Sequence, residues 1–320
     1  MNRREFLAAA AAAPLALRFG ANGLAAPLRP LALVTADREA RIVAVDPIRG
    51  RTRAVVATLP GPRSIESVAG RNAIVAHTAE GAVTLIEAAP LSVRRVLRGF
   101  GQPRYTAARF DARYAYVTDS GLGDVAVIDV RHGRVVHRTE LAGPARHITL
   151  DPAGRVLWVA LGFSARTIAL LDVAEPARPR LVRSLRPPFH AHDVGFTPDG
   201  RRVWVTSGDS RRIGVYDART LRMLFTLTAD APPQHVTFAS GRAFVTSGDD
   251  GTLHVHALGD GRVLRSVEIP IGSYNVQQGP GGVLTPSLHR GTLCVLDGRG
   301  RLVQRVQAAR SSHDACFVDG

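Results

Sequence analysis

A short apolar run ending in Val-Thr, or a close variant, returns seven times along this chain at an almost constant interval. The copies are Leu33-Val34-Thr35, Ile74-Val75-Ala76, Tyr116-Val117-Thr118, Trp158-Val159-Ala160, Trp204-Val205-Thr206, Phe244-Val245-Thr246 and Val283-Leu284-Thr285. Their central residues lie 41, 42, 42, 46, 40 and 39 positions apart. A unit of that length cannot bury a core alone, so the copies must stack, and seven of them at this period indicate an array of four-stranded blades. Helical periodicity is absent beyond the first 25 residues.

Each repeat reads alike. A first strand such as His192 to Phe196 meets the turn Thr197-Pro198-Asp199-Gly200, and a second strand, Val203 to Thr206, runs into the polar loop Ser207-Gly208-Asp209. A third, Ile213 to Asp217, turns through Ala218-Arg219-Thr220 into a fourth near Leu221 to Leu227. Apolar alternation bounded by Gly, Pro and Asp is the hairpin signal. Five third strands end in aspartate (Asp46, Asp129, Asp172, Asp217 and Asp297), read here as turn acids that bond their own backbone. The portion after residue 25 begins on a second strand, Leu31 to Thr35, and the chain finishes on a lone first strand, Asp314 to Phe317. Pairing the two completes the blade and leaves no open edge. The expected fold is therefore all-β: a single seven-bladed β-propeller over residues 26–320, closed by its N- and C-terminal strands. Pro286 falls within a second strand, where a bulge is expected.

Tyr116-Val117-Thr118-Asp119, Trp204-Val205-Thr206-Ser207 and Phe244-Val245-Thr246-Ser247 resemble the YVTN repeat signature, and the likeness covers nearly all of residues 26–320. That resemblance implies a seven-bladed propeller of the broad group that includes the haem d1 domain of cytochrome cd1 nitrite reductase. The Gly-His and Trp-Asp signature of WD40 repeats is missing.

The first 25 residues read differently. Arg3-Arg4 followed by Glu5-Phe6-Leu7, a weakly apolar alanine run and small residues near Gly23-Leu24-Ala25 resemble a cleavable twin-arginine export signal, which implies a periplasmic protein folded before export. The run is too short for a membrane span, which needs about 20 apolar residues, and no second apolar segment supplies one. Formal net charge is +14, and all 41 basic residues are arginine. The absence of lysine points to a compositional bias of the genome rather than to nucleic acid, so no nucleic-acid partner is expected, although such a surface attracts anions. Cys294 and Cys316 fall on non-neighbouring strands and are expected to be buried and unpaired. No Cys-x-x-Cys occurs, which removes thioredoxin-like chemistry and covalent c-type haem.

Aligning the first strands brings His147, Asp193, His235, Asn275 and Asp314 to one level of the central channel. Arg146, His192, Gln234, Tyr274 and His313 stand one position earlier, at the rim, with Arg104, Tyr105 and His190 close by. Two residues further on, Thr149, Gly195, Thr237, Gln277 and Cys316 share the channel face, while Ile148, Val194, Val236, Val276 and Ala315 point between blades. Imidazoles from separate blades could ligate copper, iron (including haem iron) or zinc, with His147, His192, His235 and His313 as the ligand set. Arg104, Tyr105, Arg146, Asp193, Tyr274 and Asp314 are the matching cofactor contacts, the arginines gripping carboxylates. The alternative is a hydrated polar channel with no ligand. His77, His254, His256 and His289 are assigned to second or third strands, with His254 and His256 at the surface. His132 and His137 flank a turn and are expected to be solvated.

Three functions fit this reading. The first is a monomeric binding module that takes a small-molecule or protein ligand at its channel mouth. The second is a redox or cofactor-handling protein like the haem d1 propellers, lacking the cytochrome c domain of the nitrite reductase. The third is a lactonase-like hydrolase using Glu66, the one glutamate on a first strand. Neither Gly-x-Ser-x-Gly nor His-Glu-x-x-His is present, and Gly121-Leu122-Gly123 reads as a strand-connecting loop rather than a dinucleotide fingerprint.

Overall fold

The computed structural model describes residues 30–319. The expected export signal, residues 1–25, lies outside the described residues. Twenty-eight strands, β1–β28 in chain order, form seven four-stranded antiparallel sheets, with no helix among the described residues. Six blades follow chain order. The seventh is composite: β28 (Ala315–Asp319) lies beside β1 (Pro30–Ala36), then come β2 (Arg41–Asp46) and β3 (Arg51–Ala57). Leu33 pairs with Cys316 and Val34 with Ala315, as the sequence pattern requires.

The core is divided among the seven gaps between neighbouring blades. In one gap Trp158, Ile168 and Leu170 of one blade meet Val194, Val203 and Tyr216 of the next. Trp158 meets Phe196 edge-on at 5.9 Å, and one blade later Trp204 meets Phe238 edge-on at 6.0 Å, so the packing repeats with the sequence. Second and third strands are covered on both faces and read as continuous apolar runs. Fourth strands face water: β15 (Arg180–Leu185) and β23 (Val263–Glu268) are exposed along almost their whole length. Every pairing of a third with a fourth strand carries a register shift. Such bulges twist the outer edge and, with its arginines, make it a poor template for another chain.

The five turn aspartates act as expected. Asp46 accepts from the amides of Ile48 and Arg49, Asp129 from His132, Asp172 from Ala174, Asp217 from Arg219 and Thr220, and Asp297 from Arg299 and Arg301. Cys294 and Cys316 are buried and free. Gly121 to Gly123 lie in the turn between two strands of one blade.

Three details differ from expectation. Pro286 needs no bulge, because it ends β25 (Gly282–Pro286) opposite Leu293 in regular register. The inner neighbour, β24 (Gln277–Gly279), reaches only as far as Leu284 of β25, so no ladder calls on the missing Pro286 amide. His254 and His256 are buried rather than at the surface, since neighbouring blades cover both faces of a third strand. His289 sits in the turn after β25, not on a strand.

Candidate functional site

Strand pairing sets the register of the channel. Ile65, Thr106, Ile148, Val194, Val236 and Ala315 each face the central residue of a second-strand triplet. Two residues earlier along these six strands is the rim, Arg63, Arg104, Arg146, His192, Gln234 and His313; in the seventh blade Gln277 faces Leu284, and Tyr274 stands three residues before it. One residue earlier along the same six is the next ring, Ser64, Tyr105, His147, Asp193, His235 and Asp314, with Asn275 joining it from the seventh.

The recurring threonine of the second strand is what holds this rim. Thr118 Oγ1 donates to the Arg146 carbonyl, Thr206 Oγ1 to that of Gln234, and Thr246 Oγ1 to that of Tyr274, in each case across to the next blade. Where Ala76 replaces threonine, the Ser64 hydroxyl donates to the Arg104 carbonyl instead. In these three blades the signature threonine is thus a bracket that fixes where the next rim side chain starts, whereas Thr35 and Thr285 donate to carbonyls of their own blade.

Rim and ring together close the channel. Tyr105 and His147 lie 4.3 Å apart by ring centroid, His147 and His192 4.3 Å, His147 and His235 4.9 Å, and His192 and His235 5.3 Å. Above this plug opens a mouth cavity of about 300 Å³ whose wall includes Arg63, Arg146, His192, Tyr274 and His313. Below it a second chamber of about 460 Å³ is lined by Glu66, Thr149, Thr237 and Gln277.

Each histidine is held differently. His192 Nδ1 sits 3.1 Å from the Phe163 carbonyl, and His235 Nδ1 sits 3.4 Å from Asp193 Oδ2. His313 Nδ1 lies 2.8 Å from the Arg63 carbonyl and 3.1 Å from Asn275 Nδ2. Neither ring nitrogen of His147, which is 1% exposed, has a partner among the described residues, and the same holds for Arg146 Nε. Burial holds His147 and His313 well below the ordinary imidazole range and takes His192 down to about 3, with neighbouring histidines and Arg146 adding to the effect on His147 and His192. Burial also pushes the Tyr105 phenol up to about 12. Tyr105, His147 and His192 are therefore uncharged near neutral pH, beneath a cationic rim in which Arg146 stacks on Phe163 at 4.9 Å. Gly208 leaves room for this arrangement: at φ +70° a Cβ there would come within 2.7 Å of His192 Cβ.

Of the residues selected from sequence, Tyr105, Arg146, His192, His235, Tyr274 and His313 line the mouth, with His147 directly beneath. Arg104 is turned aside, its Nε donating to Ser120 Oγ at 2.7 Å and its Nη2 to Gln102. His190 is in an outer groove beside Asp209, at 3.6 Å. Asp193 and Asp314 lie below the rim and clasp neighbouring blades. Asp193 accepts from the Val236 amide at 3.0 Å, and Asp314 from those of Ile65 and Ala315.

Sequence reasoning passed over Arg63 and Phe163. Arg63 could have been found by spacing, since positions 63, 104 and 146 are 41 and 42 apart, the same steps as the repeat. Phe163 falls in the 46-residue interval, the longest of the set, which marks extra loop at that corner of the mouth.

No protein-family model matches the chain. Over 150 residues it is 24% identical to Protein NirF of Pseudomonas aeruginosa, covering 44% of this chain and 38% of that protein. It is 25% identical over 164 residues to Protein NirF of Stutzerimonas stutzeri, covering 48% of this chain and 41% of that protein. The chain thus spans about two fifths of the length of the curated relatives it matches. Among solved structures, dihydro-haem d1 dehydrogenase NirN in complex with DHE superposes with a TM-score of 0.64 at 19% identity, over 92% of this chain and 66% of that one. Hydrazine synthase of Kuenenia stuttgartiensis superposes with a TM-score of 0.68 at 15% identity, covering 84% and 98%. A functionally unknown protein from Desulfotomaculum acetoxidans reaches 0.78 at 13%, covering 90% and 99%. The resemblance to haem d1-domain-like propellers read from the repeat is borne out by fold and by sequence similarity.

Proposed function

We propose that this propeller binds an anionic tetrapyrrole of the haem d1 class at its channel mouth and acts as a carrier or handling protein for it outside the cytoplasm. The observation that carries this reading is a buried imidazole plug set beneath a rim of arginines. His147 has no hydrogen-bond partner for either nitrogen, and Arg146 leaves one donor free. An unpaired polar group at such depth costs about 1–3 kcal/mol, so it is expected to have a use. Ligand cavities run from about 300 to 1,000 Å³. A mouth of about 300 Å³ is at the small end, so it would grip one edge or face of a macrocycle and leave the remainder in solvent.

The residues fit such a group. Arg63 and Arg146 would pair with its carboxylates, Phe163, Leu288 and Tyr274 supply apolar wall, and His192, on the same wall, would offer a nitrogen to its iron. When bound, the group would contribute redox and axial-ligand chemistry. The chain's own part would be to hold the ring, exclude water from the plug and present the uncharged imidazole of His192. The relationship to the NirN and NirF proteins supports this choice over an unspecified protein partner. A hydrolase finds no support: burial pushes Glu66 up to about 8, leaving it largely protonated near neutrality, in the chamber below the plug rather than at the mouth. The Arg3-Arg4 segment supports export to the periplasm by the twin-arginine route, and a monomer suffices for a site built within one ring.

The test is an absorbance titration of purified protein with haemin and with haem d1. Saturable 1:1 binding is expected, weakened roughly 10- to 100-fold by Arg146→Gln, in line with the loss of a hydrogen bond to a charged group. Failure of either tetrapyrrole to bind stoichiometrically, or affinity indifferent to Arg146→Gln and Arg63→Gln together, would sink the proposal.

A further inference from the structure

We propose that, when no tetrapyrrole occupies the mouth, His147, His192 and His235 form a coordination site for one bare transition-metal ion. One nitrogen from each of the three side chains lies within 4.8 Å of the others, and all three residues are buried. Metal–nitrogen bonds of about 2.1 Å in a tetrahedral site put donor nitrogens about 3.4 Å apart. Roughly an ångström of side-chain movement therefore separates the present arrangement from a closed one. His147 makes no hydrogen bond that this movement would have to break.

The surroundings of the other two distinguish this trio from a chance cluster. A metal-ligating histidine usually donates its remaining N–H to a carbonyl or carboxylate, which fixes its tautomer and aims the other nitrogen. His192 Nδ1 is placed against the Phe163 carbonyl and His235 Nδ1 against Asp193 Oδ2, so in both the Nε2 atom is the one left to coordinate. His192 is thus already supported as a metal ligand is, His235 has a carboxylate 3.4 Å from its Nδ1, and His147 is the unpartnered ring. His254 and His256 form the contrasting case: their centroids are 6.1 Å apart and only one of the two rings, that of His256, has an anchored nitrogen, so they complete no third position.

An all-imidazole set selects zinc, copper, iron or nickel over magnesium or calcium. Arg63 and Arg146 lie along the wall above, and they oppose an unaccompanied dication. They also determine the fourth ligand. The open position faces the mouth, where an anion (carboxylate, phosphate or hydroxide) would satisfy the metal and the guanidinium groups together. The predicted occupant is therefore a metal–anion pair.

The experiment uses the full protein, stripped with a chelator and free of tetrapyrrole, titrated with Zn²⁺ against a chromophoric competitor and with Cu²⁺ for electron paramagnetic resonance. The expected result is one ion per chain, with nitrogen hyperfine structure from three imidazoles. His192→Ala and His235→Ala should each lower affinity by more than the roughly 10- to 100-fold that losing an outer hydrogen-bond partner costs. His254→Ala should change nothing. Should either ligand variant fail to fold, the wild-type copper spectrum still decides. Fewer than three nitrogens, or binding that survives in folded His192→Ala, overturns the site. The two proposals can fail separately: metal-free protoporphyrin takes no axial ligand and reports on the arginines alone, whereas the stripped protein reports on the histidines alone.

Discussion

At the residue scale, hydroxyls do more here than their small size suggests. Thr246 spans from its own blade to the carbonyl of Tyr274 in the next, and Thr118 does the same for Arg146. Thr246→Val keeps the shape and removes the bond, leaving a buried carbonyl short of a donor at a cost of about 1–3 kcal/mol. We expect a lower denaturant midpoint together with weaker ligand binding, because the rim residue loses its tether. A valine at an equally buried site such as Val245 changed to Ala should lower the midpoint without that second effect. Carboxyl groups give a separate prediction. Burial raises Glu66 from 4.5 to about 8 and Asp37 from 3.8 to about 6, the latter in spite of Arg63 at 3.7 Å. A raised folded value means the native state keeps a proton that the unfolded chain has already released. The contribution of each group to stability therefore falls as pH rises, from about 4.5 to 8 for Glu66 and from about 3.8 to 6 for Asp37. Glu66→Gln removes the first of these slopes. Urea midpoints at pH 5, 7 and 9 should show the variant gaining on the wild type as pH increases; a constant difference would contradict the assignment.

At the scale of the element, what was legible in the sequence is what one strand or turn states by itself. The turn aspartates, the two lone cysteines and the closure of first strand on second could all be read because each needs a particular residue at a particular place. The register shift between third and fourth strands could not, because a bulge there demands no special residue. The burial of His254 and His256 was hidden for another reason: a polar side chain on a third strand looks the same whether a neighbouring blade covers it or water does. Arg63 was overlooked because Pro62-Arg63-Ser64 lacks the His-Asp pattern that marked other first strands. The packing between blades makes two predictions. Trp204 is fully buried against Phe238, and Trp204→Ala should cost about 3–5 kcal/mol, read from chemical denaturation. Gly279, in β24, lies under Phe317 of the closing strand so closely that a Cβ would stand 1.6 Å from the ring. Gly279→Ala must therefore push Phe317 out and lower the melting temperature. An unchanged melt would mean that the closing strand packs otherwise.

Taken whole, the molecule is a ring whose ends meet across a sequence separation of 279 residues, where Thr35 bonds to Asp314. The closing blade supplies His313 to the mouth, Asp314 to the ring beneath and Cys316 to the pairing with Leu33. Loop-closure entropy grows only slowly with chain length, so this long connection is affordable once the intervening blades have formed. It also orders events in time. During synthesis the ribosome releases His313 after every other rim residue, so a chain cut short anywhere upstream has an open ring and an incomplete mouth. If the mouth takes the tetrapyrrole proposed above, its capture would report that the ring has closed.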